Sequence, residues 1–131
     1  MLKYDKKTLS SHRLDTAKRN LNSSETLIKA EDYLSSINRS YYAIFHCMRA
    51  LLALDGLDFK KHSAVISKFR ELYMKTAIFD VELSDIIANL FDTRNEADYE
   101  DFFVISKEET KEQLENAKKF YNAIEAYLKS L

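Results

Sequence analysis

The sequence predicts an all-α protein, an up-and-down bundle of four to five helices, and three observations carry that expectation. The chain of 131 residues holds one glycine and no proline. A β-rich or α/β fold of this size needs several tight turns, and those demand Gly, Pro or Asn-Gly pairs. Apolar residues recur three and four apart along most of the chain, the period of a helix with one buried face. Capping residues and the single Gly fall between these stretches, where helix ends belong. At this length, residues 1–131 make one domain with a single core.

The first helix is expected to be capped by Ser10 or Ser11 and to run to about Ala30, its stripe being Leu14, Ala17, Leu21, Leu27 and Ile28. The second spans about Asp32 to Leu54. Its residues Ile37, Tyr41, Ala43, Ile44, Phe45, Met48, Leu51, Leu52 and Leu54 cover most of its circumference. A helix apolar nearly all round is either central in a bundle or shared with a second subunit, and this surplus predicts a homodimer. Asp55-Gly56 ends it, with the only Gly where a left-handed residue is wanted. After the short loop LDFKKHS, a third helix from about Ser63 to Thr76 turns Val65, Ile66, Phe69, Leu72 and Tyr73 inward. A fourth begins near Asp80 or Val81, uses Leu83, Ile86, Ile87, Leu90 and Phe91, and runs into the polar segment FDTRNEADYEDF, residues 91–102. Ser106 and Glu109 match the S-x-x-E capping box ahead of a fifth helix carrying Leu114, Ala117, Phe120 or Tyr121, Ile124 and Leu128.

Twenty basic residues nearly balance twenty-one acidic ones. A net charge of −1 supplies no global field, so any RNA contact has to be a local patch. Cys47 is the sole cysteine, which excludes an internal disulfide and suits a reducing cytoplasm. The start, MLKYDKKTLSSHRLD, lacks a signal-type apolar region, and YYAIFHCMRALLAL is too short and polar to cross a bilayer. A cytoplasmic protein without membrane attachment is expected. One Gly permits no phosphate-cradling loop, and His12, His46 and His62 form no metal-ligand pattern, so neither a metal nor a cofactor is expected.

Three polar groupings carry what chemistry there is. Arg39, Tyr42 and His46 lie three and four apart on the second helix. They either converge on a phosphate or base, or serve as satisfied core polar groups with Arg39 extending to water. His62-Ser63 follows Lys60 and Lys61 and either caps the third helix or presents amides to an anion. Arg94 and Asp98 can pair one turn apart, while Asn95 and Asp98 can also end the helix by turn chemistry. The spacing predicts that Arg39, Tyr42 and His46 face Arg94 and Asp98 across a shared polar pocket.

The segments NRSYYAIFHCMRALL, GLDFKKHSAVISKF and LFDTRNEADYEDF, in this order, resemble the HEPN (higher eukaryotes and prokaryotes nucleotide-binding) domain family, over roughly residues 10–130. The small stand-alone prokaryotic members are the nearest in kind. The resemblance implies a helical bundle that commonly dimerises, often encoded beside a minimal nucleotidyltransferase, and in some such pairs acting as toxin and antitoxin. Active members are metal-independent ribonucleases using an Arg followed four to six residues later by His, with the two motifs of a dimer facing one cleft. Carried over, Arg94 takes the place of the family's Arg and Asn95 the polar position after it. Tyr99 stands where the His is expected. A phenol with pKa about 10 is a poor base at neutral pH, so ligand binding with weak or absent cleavage is expected. The nucleotide- or RNA-binding set is then Arg39, Tyr42, His46, His62, Arg94, Asn95 and Asp98, with Arg94 and Tyr99 at the catalytic positions. A ribonuclease toxin with His46 or His62 supplying the imidazole is one alternative, and a purely structural interaction bundle is another.

Overall fold

The computed structural model describes residues 5–131. Among them lie five α-helices and no strand: α1 (Lys6–Lys29), α2 (Tyr33–Leu54), α3 (His62–Phe69), α4 (Glu82–Tyr99) and α5 (Lys107–Lys129). No helix among the described residues is long and apolar enough to cross a membrane.

α2 is the axis of the bundle, packed by α1, α3, α4 and α5. Ile37, Tyr41, Ala43, Ile44, Met48 and Leu51 are all fully buried within the one chain. Four neighbouring helices cover most of that apolar surface, leaving Leu34 42% exposed and Tyr33, Tyr42 and Leu54 half-buried. Where α1 crosses α2, three serines replace larger side chains. Ser24 Oγ lies 2.8 Å from both Ser36 Oγ and Ser40 Oγ, and Ser36 Oγ donates to the Ser24 carbonyl at 3.1 Å. Small hydroxyls let the helices approach while satisfying each other, which keeps the burial of polar atoms inexpensive.

The helix ends explain how the chain turns with so little glycine. The cap of α1 lies five residues before the expected Ser10. Asp5 is its cap, its carboxylate accepting from the Thr8 N–H at 2.7 Å, and Ser10 is buried inside the helix. After α1, Glu31 takes a left-handed φ of 62°, with Asp32 N–H bonding to the Leu27 carbonyl and Glu31 N–H to the Ile28 carbonyl. Gly56, at φ 73°, repeats the same paired closure after α2, through Leu57 to Leu52 and Gly56 to Ala53. A non-glycine residue in this conformation costs roughly 1 kcal/mol, so Glu31 replaces the missing Gly at a modest penalty.

The third helix is not continuous to Thr76. After Phe69 the backbone widens into a π-helical turn, Arg70–Met74, closed by Lys75 N–H to the Arg70 carbonyl at 2.9 Å. The wider turn carries Tyr73 round to stack on Phe69, at 5.5 Å between ring centroids, and its hydroxyl donates to Asp55 at 2.7 Å. Ser106 caps α5, accepting from the Glu109 N–H at 3.0 Å.

Candidate functional site

Arg94 leaves α4 two turns beyond the buried Ile87 and points back across α2 with only 16% of its side chain exposed. Its Nε lies 2.9 Å from Asp98 Oδ2, one turn along the same helix. The two are charge-paired, yet Nε makes no aligned hydrogen bond. The outer nitrogens donate to Tyr42 Oη at 3.3 Å and Asn95 Oδ1 at 3.4 Å. Both contacts are long for N–H···O bonds, so these donors are weakly committed. The guanidinium carbon sits 5.2 Å from the Tyr41 ring centroid and 5.6 Å from that of Tyr42, within cation–π range. Arg94 is thus held in place by rings and one carboxylate, with donor capacity to spare.

Tyr41 and His62 complete the cluster. The Tyr41 ring is fully buried, and its hydroxyl lies 2.9 Å from His62 Nδ1. Burial raises the Tyr41 pKa to about 12, the Arg94 charge opposing it, so the group is a neutral phenol. His62 stacks on Phe45 at 4.1 Å between centroids. Its pKa is lowered, first by burial and then by Arg94 and Arg49, which leaves a neutral imidazole at pH 7. The expected helix-capping role of His62 is not what the structure has. Lys61 holds the cap position without a side-chain bond, and the His62 ring turns inward onto Phe45.

The other residues of the sequence-derived set separate. Asn95 and Asp98 stay with Arg94. His46 lies one turn beyond Tyr42, with 6.2 Å between their rings, and is depressed to a pKa of about 4 by burial, then by Arg49, Arg13, His62 and His12. Its ring contacts are with Tyr42 and Phe45, while the main charges acting on it are those of Arg49 on α2 and Arg13 on α1. Arg39 is exposed and lines a groove with Asn22, Ser23, Thr26 and Leu27 of α1, so the shared pocket expected to contain it does not form. The reason is angular. At 100° per residue, Arg39 falls about 60° round the helix from Tyr42, which is enough to send it to α1 while Tyr42 meets α4. Tyr99 is 78% exposed at the end of α4, and its side chain makes no hydrogen bond or ring contact among the described residues.

Sequence reasoning passed over Tyr41, Arg13 and Arg49. Tyr41 read as one more core position, although a tyrosine buried to its hydroxyl needs a polar partner. Arg13 falls on the stripe of Ala17, Leu21, Ser24 and Ile28, and a cation there had to be buried. It is 7% exposed, donating to the Arg49 carbonyl at 3.1 Å and to Asp58 Oδ2 at 3.2 Å.

A model of the HEPN domain matches residues 10–127. A Methanocaldococcus jannaschii protein carrying the name "putative toxin" is 36% identical over 115 residues, covering 88% of this chain and 78% of that protein. A Thermotoga maritima protein named as a UPF0332 protein is 34% identical over 111 residues, 85% of this chain and 84% of its own length. A second M. jannaschii protein also named "putative toxin" is 33% identical over 86 residues, 66% of this chain and 64% of that one.

Proposed function

Because the chain belongs to the HEPN domain family, we propose that it is a toxin-like RNA-binding protein in which Arg94 grips a backbone phosphate. One observation carries the reading: Arg94 is fixed against Tyr41 and Tyr42 while its outer nitrogens make only long bonds. A guanidinium matches phosphate through parallel N–H donors and never loses its charge, so such a site works without a neighbouring base. Tyr42 and His62, meeting edge-on at 5.7 Å between centroids, border the place where that phosphate would sit. Titrating the protein with uridine 3′-monophosphate should move the His62 imidazole NMR signals. Perturbation confined to residues remote from α2 and α4 would count against the site.

A second reading, cleavage, is favoured by His62. It supplies beside Arg94 the neutral imidazole that Tyr99 cannot. In that reaction the imidazole takes the proton of a ribose 2′-OH, the 2′-oxygen attacks phosphorus, and the 5′-oxygen leaves with a proton from water. Cleavage that survives chelators and falls about 10²-fold or more in His62→Ala supports it. Cleavage that only Tyr99→Ala abolishes contradicts it.

The partners follow from a different feature. Tyr99, Phe102 and Val104 are 78%, 95% and 86% exposed at and just beyond the end of α4, large apolar side chains that solvent disfavours. They support a protein-contact surface there, covered by a second copy of the chain. Light scattering should give twice the chain mass, and Phe102→Asp should return it to one. A minimal nucleotidyltransferase as a further partner rests on the resemblance alone, and co-purification of the pair tests it.

A further inference from the structure

Beyond Phe45, a second cationic group lies on the same side of α2 as Tyr42. Arg49 follows Tyr42 by seven residues, nearly two full turns, which brings it under Tyr42 at a rise of about 10 Å. Its guanidinium carbon is 6.0 Å from the Phe45 ring centroid, and Phe45 carries the stacked His62. The Phe45–His62 stack is therefore flanked by two guanidiniums, Arg94 toward α4 and Arg49 toward the loop before α3.

Arg49 is poorly neutralised. Asp58 is shared by two arginines, its oxygens lying 3.2 Å from Arg13 and 3.5 Å from Arg49. One carboxylate against two guanidiniums leaves a net positive charge, and burial together with that crowding lowers the Arg13 pKa. Two polar atoms there are buried without partners, Arg49 Nε and His46 Nδ1. Arg49 keeps 26% of its side chain exposed, so its excess charge faces water on one side, where an anion can reach it. An anion would relieve it. Phe45 is buried and backs His62, so the half-buried Tyr42 and His62 are the rings left for a base to stack on, beside cations that the phosphates of a single strand can track.

We propose that Arg49, backed by Arg13 and Asp58, is a second phosphate subsite, taking a neighbouring phosphate of the same single-stranded RNA that Arg94 holds. The Phe45–His62 stack lies between the two contacts. The inference rests on the reading of Arg94 given above, and it predicts a footprint that runs along α2 toward the α2–α3 loop.

The test uses the full chain and two probes, uridine 3′-monophosphate and single-stranded hexauridylate, with affinities measured across a salt series. Arg49→Ala should weaken hexauridylate binding at least about tenfold. It should lower the magnitude of the log–log salt slope by about 0.7, the share of one phosphate on a single strand, and leave the mononucleotide unchanged. Arg49→Lys, which keeps the charge, should restore most of the slope, separating a phosphate contact from a structural loss. An unchanged slope in Arg49→Ala overturns the second subsite, as does an equal loss for both probes that Arg49→Lys does not rescue. If Arg94→Ala leaves both probes unaffected while Arg49→Ala weakens the hexamer, the Arg94 reading fails and the Arg49 contact stands by itself. Tighter binding of duplex RNA than of the single strand also contradicts the proposal, because stacked rings cannot reach paired bases.

Discussion

Lowering the pH from 7.5 to 4.5 protonates His46 in the unfolded chain long before the folded protein accepts the proton. In the fold, burial and the charges of Arg49 and Arg13, with His62 and His12 adding to them, hold its pKa at about 4 against an ordinary 6.5. The unfolded state therefore binds more protons between those values. Stability is full above pH 6.5 and is lost as the pH falls toward 4. At 1.36 kcal/mol per unit, the loss at pH 4.5 has a ceiling of about 2.5 kcal/mol. His46 is partly exposed, and solvent screening reduces this to about 1.5 kcal/mol. A chain of 131 residues unfolds with an entropy near 0.28 kcal/mol/K, so the melting temperature should drop by about 5 °C from this group alone. His46→Gln removes the term, and thermal melts of wild type and variant at pH 7.5, 6.5, 5.5 and 4.5 isolate it, since the carboxylates titrate alike in both. The wild type should lose ground to the variant as the medium becomes acid. Two melting curves that stay parallel in pH would refute the reasoning about His46 and its arginine neighbours.

Other expectations are narrower. Tyr41→Phe removes the hydroxyl at 2.9 Å from His62 Nδ1 and should cost about 1 kcal/mol by denaturant titration. The same change should alter the His62 ring-nitrogen shifts, and unchanged shifts would mean that the contact does not exist in solution. Gly56→Ala meets φ 73° and a Lys6 side chain 3.2 Å from the new methyl. Because Lys6 is flexible, the backbone term should dominate, at about 1 kcal/mol of lost stability, and a stabilised variant would contradict the assignment.

Helices were legible because their signal is repeated. α2 and α5 show their apolar residues turn after turn, and Ser106 advertises an end by chemistry that local sequence carries. The start of α1 was not legible in the same way. Asp5 caps a first turn of lysines with no apolar residue before Leu9, so its pattern begins after the helix does. The break at Arg70 has no proline or glycine to announce it, since it comes from how Tyr73 packs on Phe69 and Asp55. At the site, the sequence showed the Arg94–Asp98 pair because both lie on one helix. It did not show that Tyr41 and His62, twenty-one positions apart, would meet. Arg39 misled for a related reason: spacing of three or four places residues near one face, but neighbouring helices decide which side of that face each one meets.

The most direct test of the account is the affinity of short single-stranded RNA for wild type and for Arg94→Ala, measured by fluorescence anisotropy at one fixed salt concentration. Two charge-assisted bonds to one phosphate predict a loss of at least about tenfold, measured at a temperature where circular dichroism shows the variant folded, since Arg94→Ala also removes the Asp98 ion pair and the contacts with the Tyr41 and Tyr42 rings. Equal affinities for the two proteins would contradict the account.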